Sequence, residues 1–217
     1  MKKLVLGAAI AMSSLTFAQQ FGLKAGMNVS SLSKDASMSD TKSKIGFNAG
    51  VFMNAPLAES FSIQPELLYS QMGNKATVTT TSTVGANTIT TKTTGSTDLD
   101  YVTLPVMFQY KATPNFYLEA GPEFGLMVSG KSKGDRTVTT TNGGASTEVS
   151  SSSSLDIKDD LNTFNFGVGI GAGYYFTPNV GLTARYVAGV TDIAKDRPSG
   201  SDAVRNNVFQ VGLAYKF

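Results

Sequence analysis

The stretch Asn165–Phe176, NFGVGIGAGYYF, decides the fold. Gly167, Gly169, Gly171 and Gly173 occupy every second position, with Val168, Ile170 and Ala172 between them. A period of two is the period of a β-strand, whose side chains alternate between its faces. One face of this strand is glycine and the other is hydrocarbon. Glycine inside a strand weakens it, because it packs nothing and loses much conformational freedom. Four in file imply a face that is short of room.

The alternation recurs along the chain. Gln20–Val29, Lys44–Met53, Phe61–Met72, Tyr101–Tyr110, Phe116–Ser129, Phe164–Phe176, Val180–Val190 and Val208–Phe217 carry it, which predicts eight strands. No segment offers the ~18 consecutive apolar residues of a membrane-crossing helix. The connections alternate as well. Long polar segments at about 30–43, 76–97, 130–160 and 191–206 take turns with tight ones at 54–60, 112–115 and 177–179. Long connections on one side and short ones on the other are the layout of an outer-membrane barrel.

Composition excludes much chemistry. The 217 residues include no cysteine, histidine or tryptophan. Disulfides, thiolate or imidazole metal sites and histidine bases are therefore ruled out. Only 16% of residues are charged, yet only 41% are hydrophobic, below the ~45–50% of soluble domains. Residues 1–18 form a signal peptide: Lys2 and Lys3, an apolar run from Leu4 to Met12, and Thr16-Phe17-Ala18 before Gln19. Without Lys2 and Lys3 the 18 basic residues become 16, equal to the 16 acidic ones. A neutral mature chain argues against a nucleic-acid partner.

Which face meets solvent separates a membrane barrel from a soluble one. In a soluble eight-stranded barrel the inside is apolar. Here the face opposite the hydrocarbon carries thirteen of the 22 glycines together with Lys24, Asn28, Gln64, Glu66, Glu119, Glu123, Arg185 and Gln210. An eight-stranded barrel has an interior only wide enough for side chains, so small residues and a few long charged ones suit it. Phe61, Phe108, Tyr110, Phe116, Tyr117, Tyr174, Tyr175, Phe176, Tyr215 and Phe217 lie near short turns or the last strand's end, as an interfacial aromatic girdle would. The expectation is an all-β fold: an eight-stranded antiparallel up-and-down transmembrane β-barrel over 19–217.

The search for reaction chemistry finds no catalytic, cofactor or metal site. Glu119 and Glu123 share a face but lie roughly 13 Å apart along a strand, too far for a glycosidase pair. The acids 156, 159, 160, 192, 196 and 202 show no ion-loop spacing. Lys24, Glu66, Glu119, Glu123 and Arg185 instead suggest a lumenal charge network, because buried charges need partners. Arg185 is expected to meet Glu119 or Glu123. The Thr/Ser-rich segments 77–94 and 137–154 are either hairpins with edges open to partner strands or a hydrophilic cover; Asn142-Gly143 is a turn signal. Pro65, Pro105 and Pro122 fall inside predicted strands, where bulges or local breaks are expected.

Gln64-Pro65-Glu66-Leu67-Leu68-Tyr69, Tyr101–Pro105 (YVTLP), Ala120-Gly121-Pro122 and the closing FQVGLAYKF resemble the outer-membrane β-barrel domain called PorT-like or "porin family", and more distantly the OmpA and OmpX kind of small barrel. The resemblance implies an integral outer-membrane protein, a monomer that contacts outer-membrane lipid, and the even strand number leaves both termini periplasmic. It implies that Phe209, Val211, Leu213, Tyr215 and Phe217 form the signal read by the barrel-assembly machinery. The function expected is structural or surface-interacting, not enzymatic, with the Thr/Ser-rich loops meeting a surface partner and the lumen closed by charged side chains. A narrow porin-type channel for small solutes is the alternative.

Overall fold

The computed structural model describes residues 19–33, 41–195 and 203–217. The signal peptide expected at 1–18, and residues 34–40 and 196–202 of two expected outer loops, lie outside the described residues. The chain forms β1 (Gln20–Ser33), β2 (Thr41–Pro56), β3 (Phe61–Val84), β4 (Asn87–Lys111), β5 (Phe116–Asn142), β6 (Ala145–Asp156), β7 (Phe164–Tyr175), β8 (Val180–Gly189) and β9 (Arg205–Lys216), with one 3-10 turn at Lys158–Asp160. All pairings are antiparallel. The ring runs β1-β2-β3-β4-β5-β7-β8-β9 and closes where β1 meets β9, from Gly22 opposite Lys216 to Ser33 opposite Arg205. This is an eight-stranded barrel.

The ninth strand stands outside the ring. β5 gives its first half, Phe116–Leu126, to β7 and its second half, Lys131–Asn142, to β6. Segments 76–97 and 130–160, expected as long loops, are largely β-ribbon. β3, β4 and β5 have 24, 25 and 27 residues, whereas a strand crosses a bilayer in ~9–11. Threonine is β-branched and suits a pleated surface, and Thr77–Thr94 and Thr81–Thr90 face each other at 3.3 and 3.4 Å between hydroxyls. The β5–β6 ribbon turns on Gly143 and Gly144, with φ of 55° and 91°, values that suit glycine.

The outward face of β4 changes from hydrocarbon to charge along its length. Tyr110, Phe108, Leu104 and Val102 are exposed hydrocarbon or aromatic; the next outward positions are Asp100 and Asp98. From there to Asn87 the ribbon extends roughly 40 Å along the strand, at ~3.3 Å per residue. Below that level the lipid face is continuous: Phe21, Ile45, Ile170 and Leu213 are all more than half exposed.

The prolines interrupt the ladders without shifting them. Pairing of β2 with β3 skips from Phe52–Glu66 to Ala55–Ile63, of β3 with β4 from Pro65–Val106 to Leu68–Thr103, and of β4 with β5 from Pro105–Glu123 to Phe108–Ala120. The same register resumes after each gap. A missing N–H removes hydrogen bonds but inserts no residue. Of the bulges or local breaks expected at the prolines, the breaks are there; the register shifts lie elsewhere, between Ser43 and Asn48 and between Asp100 and Tyr101.

Candidate functional site

The barrel's distinctive chemistry is in its lumen, which is filled in levels. At the centre, β8 aims Arg185 inward, where it is 1% exposed. Its Nη1 and Nη2 donate to the two oxygens of Glu66 on β3, at 3.0 and 2.7 Å, and its Nε donates to Glu119 on β5 at 2.7 Å. Lys24 on β1 donates to both Glu66 oxygens at 3.3 Å. Four strands are thereby tied across the lumen by two cations and two carboxylates. Gln64 donates to Glu66 at 2.9 Å and Gln109 to Glu119 at 3.0 Å, so the carboxylates are saturated, as buried charges require.

Glycines make this level fit. A Cβ at Gly169 would stand 2.9 Å from Met107 Cε and 3.4 Å from Arg185 Cδ, and one at Gly171 would lie 3.0 Å from a Glu119 oxygen. A Cβ at Gly173 would enter the Tyr117 ring. The file in β7 is the floor beneath long side chains sent in by neighbouring strands.

Glu123 stands apart from the other four charged residues. It is 3% exposed, and its Oε2 has no hydrogen-bond partner within the protein. It accepts nothing from Arg185, whose donors go to Glu66 and Glu119.

Toward the short-turn end, Asn54 donates to Gln109 Oε1 at 2.8 Å and to Gln64 Oε1 at 3.1 Å. Tyr117 and Tyr175 pack with ring centroids 6.0 Å apart, and the Lys216 ammonium sits 3.6 Å from the Tyr175 ring centre. Toward the other end, Asn48 donates to Asn28 at 2.6 Å and Asn28 to Ser70 at 2.8 Å. Above them Leu32, Met72, Leu99, Tyr101, Met127, Ile193 and Val208 form one buried apolar cluster. Ile193 comes from the segment after β8, which is stitched down by Asn162 N–H to Ile193 O at 2.9 Å and Ile193 N–H to Val204 O at 2.9 Å. Alternation places Gln64 and Gln109 on the lumenal face, so their part was readable from the sequence. Ile193 carries no periodic signal.

Outside the membrane, Asp98 joins the base of the ribbons. Lys44 of β2 and Lys133 of β5 reach its two oxygens at 2.9 and 2.7 Å. Partial burial opposes ionisation of Asp98, but hydrogen bonds from the two lysines outweigh it and hold the carboxyl below the usual carboxylate range. Among the described residues no cluster of three or more acidic side chains could hold a metal ion. Phe209, Val211, Leu213 and Tyr215 lie on the closing strand β9 and Phe217 just beyond it, all five exposed on the outward face.

A family model described as outer membrane protein beta-barrel domain matches residues 17–195. No curated protein matches the chain. Among solved structures, Ail, the attachment invasion locus protein of Yersinia pestis, is similar at 13% identity over 93% of this chain and 100% of that one, with a TM-score of 0.45. Neisserial surface protein A is similar at 15% identity over 92% and 99%, with a TM-score of 0.44. The N-terminal barrel domain of Pseudomonas aeruginosa OprF aligns at 12% identity over 92% and 100%, with a TM-score of 0.33.

Proposed function

This chain belongs to the outer membrane protein β-barrel domain family, and from that premise we propose that it is a closed, non-conducting barrel whose role is to hold a surface-exposed β-sheet above the outer membrane. The observation that carries this reading is the Arg185 guanidinium, shared by Glu66 and Glu119 across the lumen. An open pore would hydrate these charges separately, whereas here each pairs with a neighbour's. The apolar cluster around Tyr101 and Ile193 supports a second closure nearer the ribbons. The role is structural or surface-interacting, not catalytic.

In this reading the chain is exported by residues 1–18, both termini face the periplasm, and the Thr/Ser-rich ribbons meet a surface partner. Phe209, Val211, Leu213, Tyr215 and Phe217 present the assembly machinery with the strand it recognises. Outer-membrane lipid covers the rest of the hydrocarbon face. Planar-bilayer recording of the purified, heat-modifiable barrel tests the closure: no single-channel steps are expected. Stable steps would overturn it and favour a narrow channel for small solutes.

A further inference from the structure

The sheet above the membrane has the order β3-β4-β5-β6, and among the described residues both its edges are unpaired. Among the described residues, 77–84 of β3 pair with β4 alone, and all twelve residues of β6 pair with β5 alone. Natural edge strands are usually blunted by proline, lysine or a bulge. Neither of these edges is. Residues 77–84 read TVTTTSTV and β6 reads ASTEVSSSSSLD, with no proline, no lysine and no positive φ. The β5–β6 register is unbroken from Lys131–Asp156 to Asn142–Ala145.

We propose that a second copy of this chain docks edge to edge here, β6 of one protomer pairing with the outer part of β3 of the next. The membrane supplies the direction. Two copies inserted in one bilayer share the sense of the barrel axis, so a given strand runs the same way relative to the surface in both. β3 runs away from the membrane and β6 runs back toward it. Pairing β6 with a neighbour's β3 is therefore antiparallel, like every other pairing in the molecule. Pairing β6 with β6, or β3 with β3, would be parallel, which is less stable per residue.

Charge points to the same choice. β6 carries Glu148 and Asp156 and no base, while the free residues 77–84 of β3 carry no charge; Lys75 lies below them, paired with Lys42 of β2. Two β6 edges would set acid against acid, whereas the outer part of β3 sets no like charge against β6. The contact is head-to-tail, so it propagates into rings or rows. This departs from the monomer expected from the sequence, and it rests on the surface-display reading above.

The chain has no cysteine, so introduced thiols report alone. Differently tagged Thr79→Cys and Ser150→Cys copies are co-produced in one cell and treated with a membrane-impermeant bismaleimide. Thr77→Cys, Thr81→Cys, Ser146→Cys and Ser154→Cys partners cover the register. Labelling of Ser150→Cys by an impermeant maleimide on intact cells is measured first; its failure would overturn surface display itself, and the docking with it. With labelling intact, β3–β6 mixed dimers are expected several-fold above either like-with-like dimer. In the two-residue hairpin Asn142 and Ala145 close the turn, so the N–H groups of even-numbered β6 residues face away from β5. Ser152→Pro should therefore reduce mixed dimers while the barrel stays heat-modifiable. Like-with-like dimers that equal the mixed ones, mixed dimers unaffected by Ser152→Pro, or a labelled, folded barrel with no β3–β6 dimer at any pair, would each overturn the proposal.

Discussion

Arg185 and Glu123 lie in the same lumen and make opposite demands on it. Arg185 spends all three of its donor nitrogens on Glu66 and Glu119. Arg185→Ala strands two carboxylates with Lys24 as their one remaining cation, and breaking such a pair costs about 3–5 kcal/mol where burial is complete. The urea midpoint of the heat-modifiable barrel should fall sharply. Glu123→Gln removes a charge that has no ion-pair partner, so its midpoint should stay unchanged or rise. Glu66→Gln, which loses bonds from Lys24 and Arg185, should fall like Arg185→Ala. Equal effects of Glu123→Gln and Glu66→Gln would show that the lumen does not discriminate paired from unpaired acids. Alternation alone put all five residues on one face, since a period of two needs no tertiary information. It could not say which acid meets which cation, because that depends on strand stagger around the ring. Glu66 and Arg185 are 119 residues apart in sequence.

At the scale of elements, β3, β4 and β5 continue past the bilayer without a break, and the sequence showed this only in part. The hydrocarbon alternation stops near Met72 and Tyr101, and a Thr/Ser ribbon exposed on both faces has no apolar period to reveal it. One turn was more legible, through Asn142-Gly143, although the structure sets it one residue further on, at Gly143-Gly144. A ribbon protects its arms and exposes its tips. Protease applied to intact cells should cut at Gly85–Ala86 and Gly143–Gly144 and spare 112–115 and 177–179; cutting at 112–115 would reverse the orientation. The base of the ribbons should be acid-sensitive. The carboxyl of Asp98 titrates lower in the folded barrel than in the unfolded chain, so its contribution is complete above the unfolded value of ~3.9 and is lost as pH falls through the lower folded value. Hydrogen-exchange protection around 96–100 and 131–134, measured against the intrinsic rate at each pH, should fall below about pH 4. Asp98→Asn should show the lower protection at neutral pH and lose the pH dependence.

Over the whole molecule, the closure we propose does not rest on one group. An ion crossing the lumen would meet the Tyr117–Tyr175 and Asn54–Gln109 level, then the Arg185 level, then the apolar cluster of Leu99, Tyr101, Met127 and Ile193. These barriers are in series, so conductance is limited by whichever remains. Burying an ion among Leu99, Met127 and Ile193 is unfavourable whatever happens below, because that cluster offers it no paired charge. Stability behaves differently, since every level contributes to it at once. Arg185→Ala should therefore separate the two properties: its urea midpoint drops while its planar-bilayer trace stays as silent as that of the unmodified barrel. If single-channel steps appear in Arg185→Ala alone, the ion-pair level is the sole barrier and the apolar cluster does not seal the lumen.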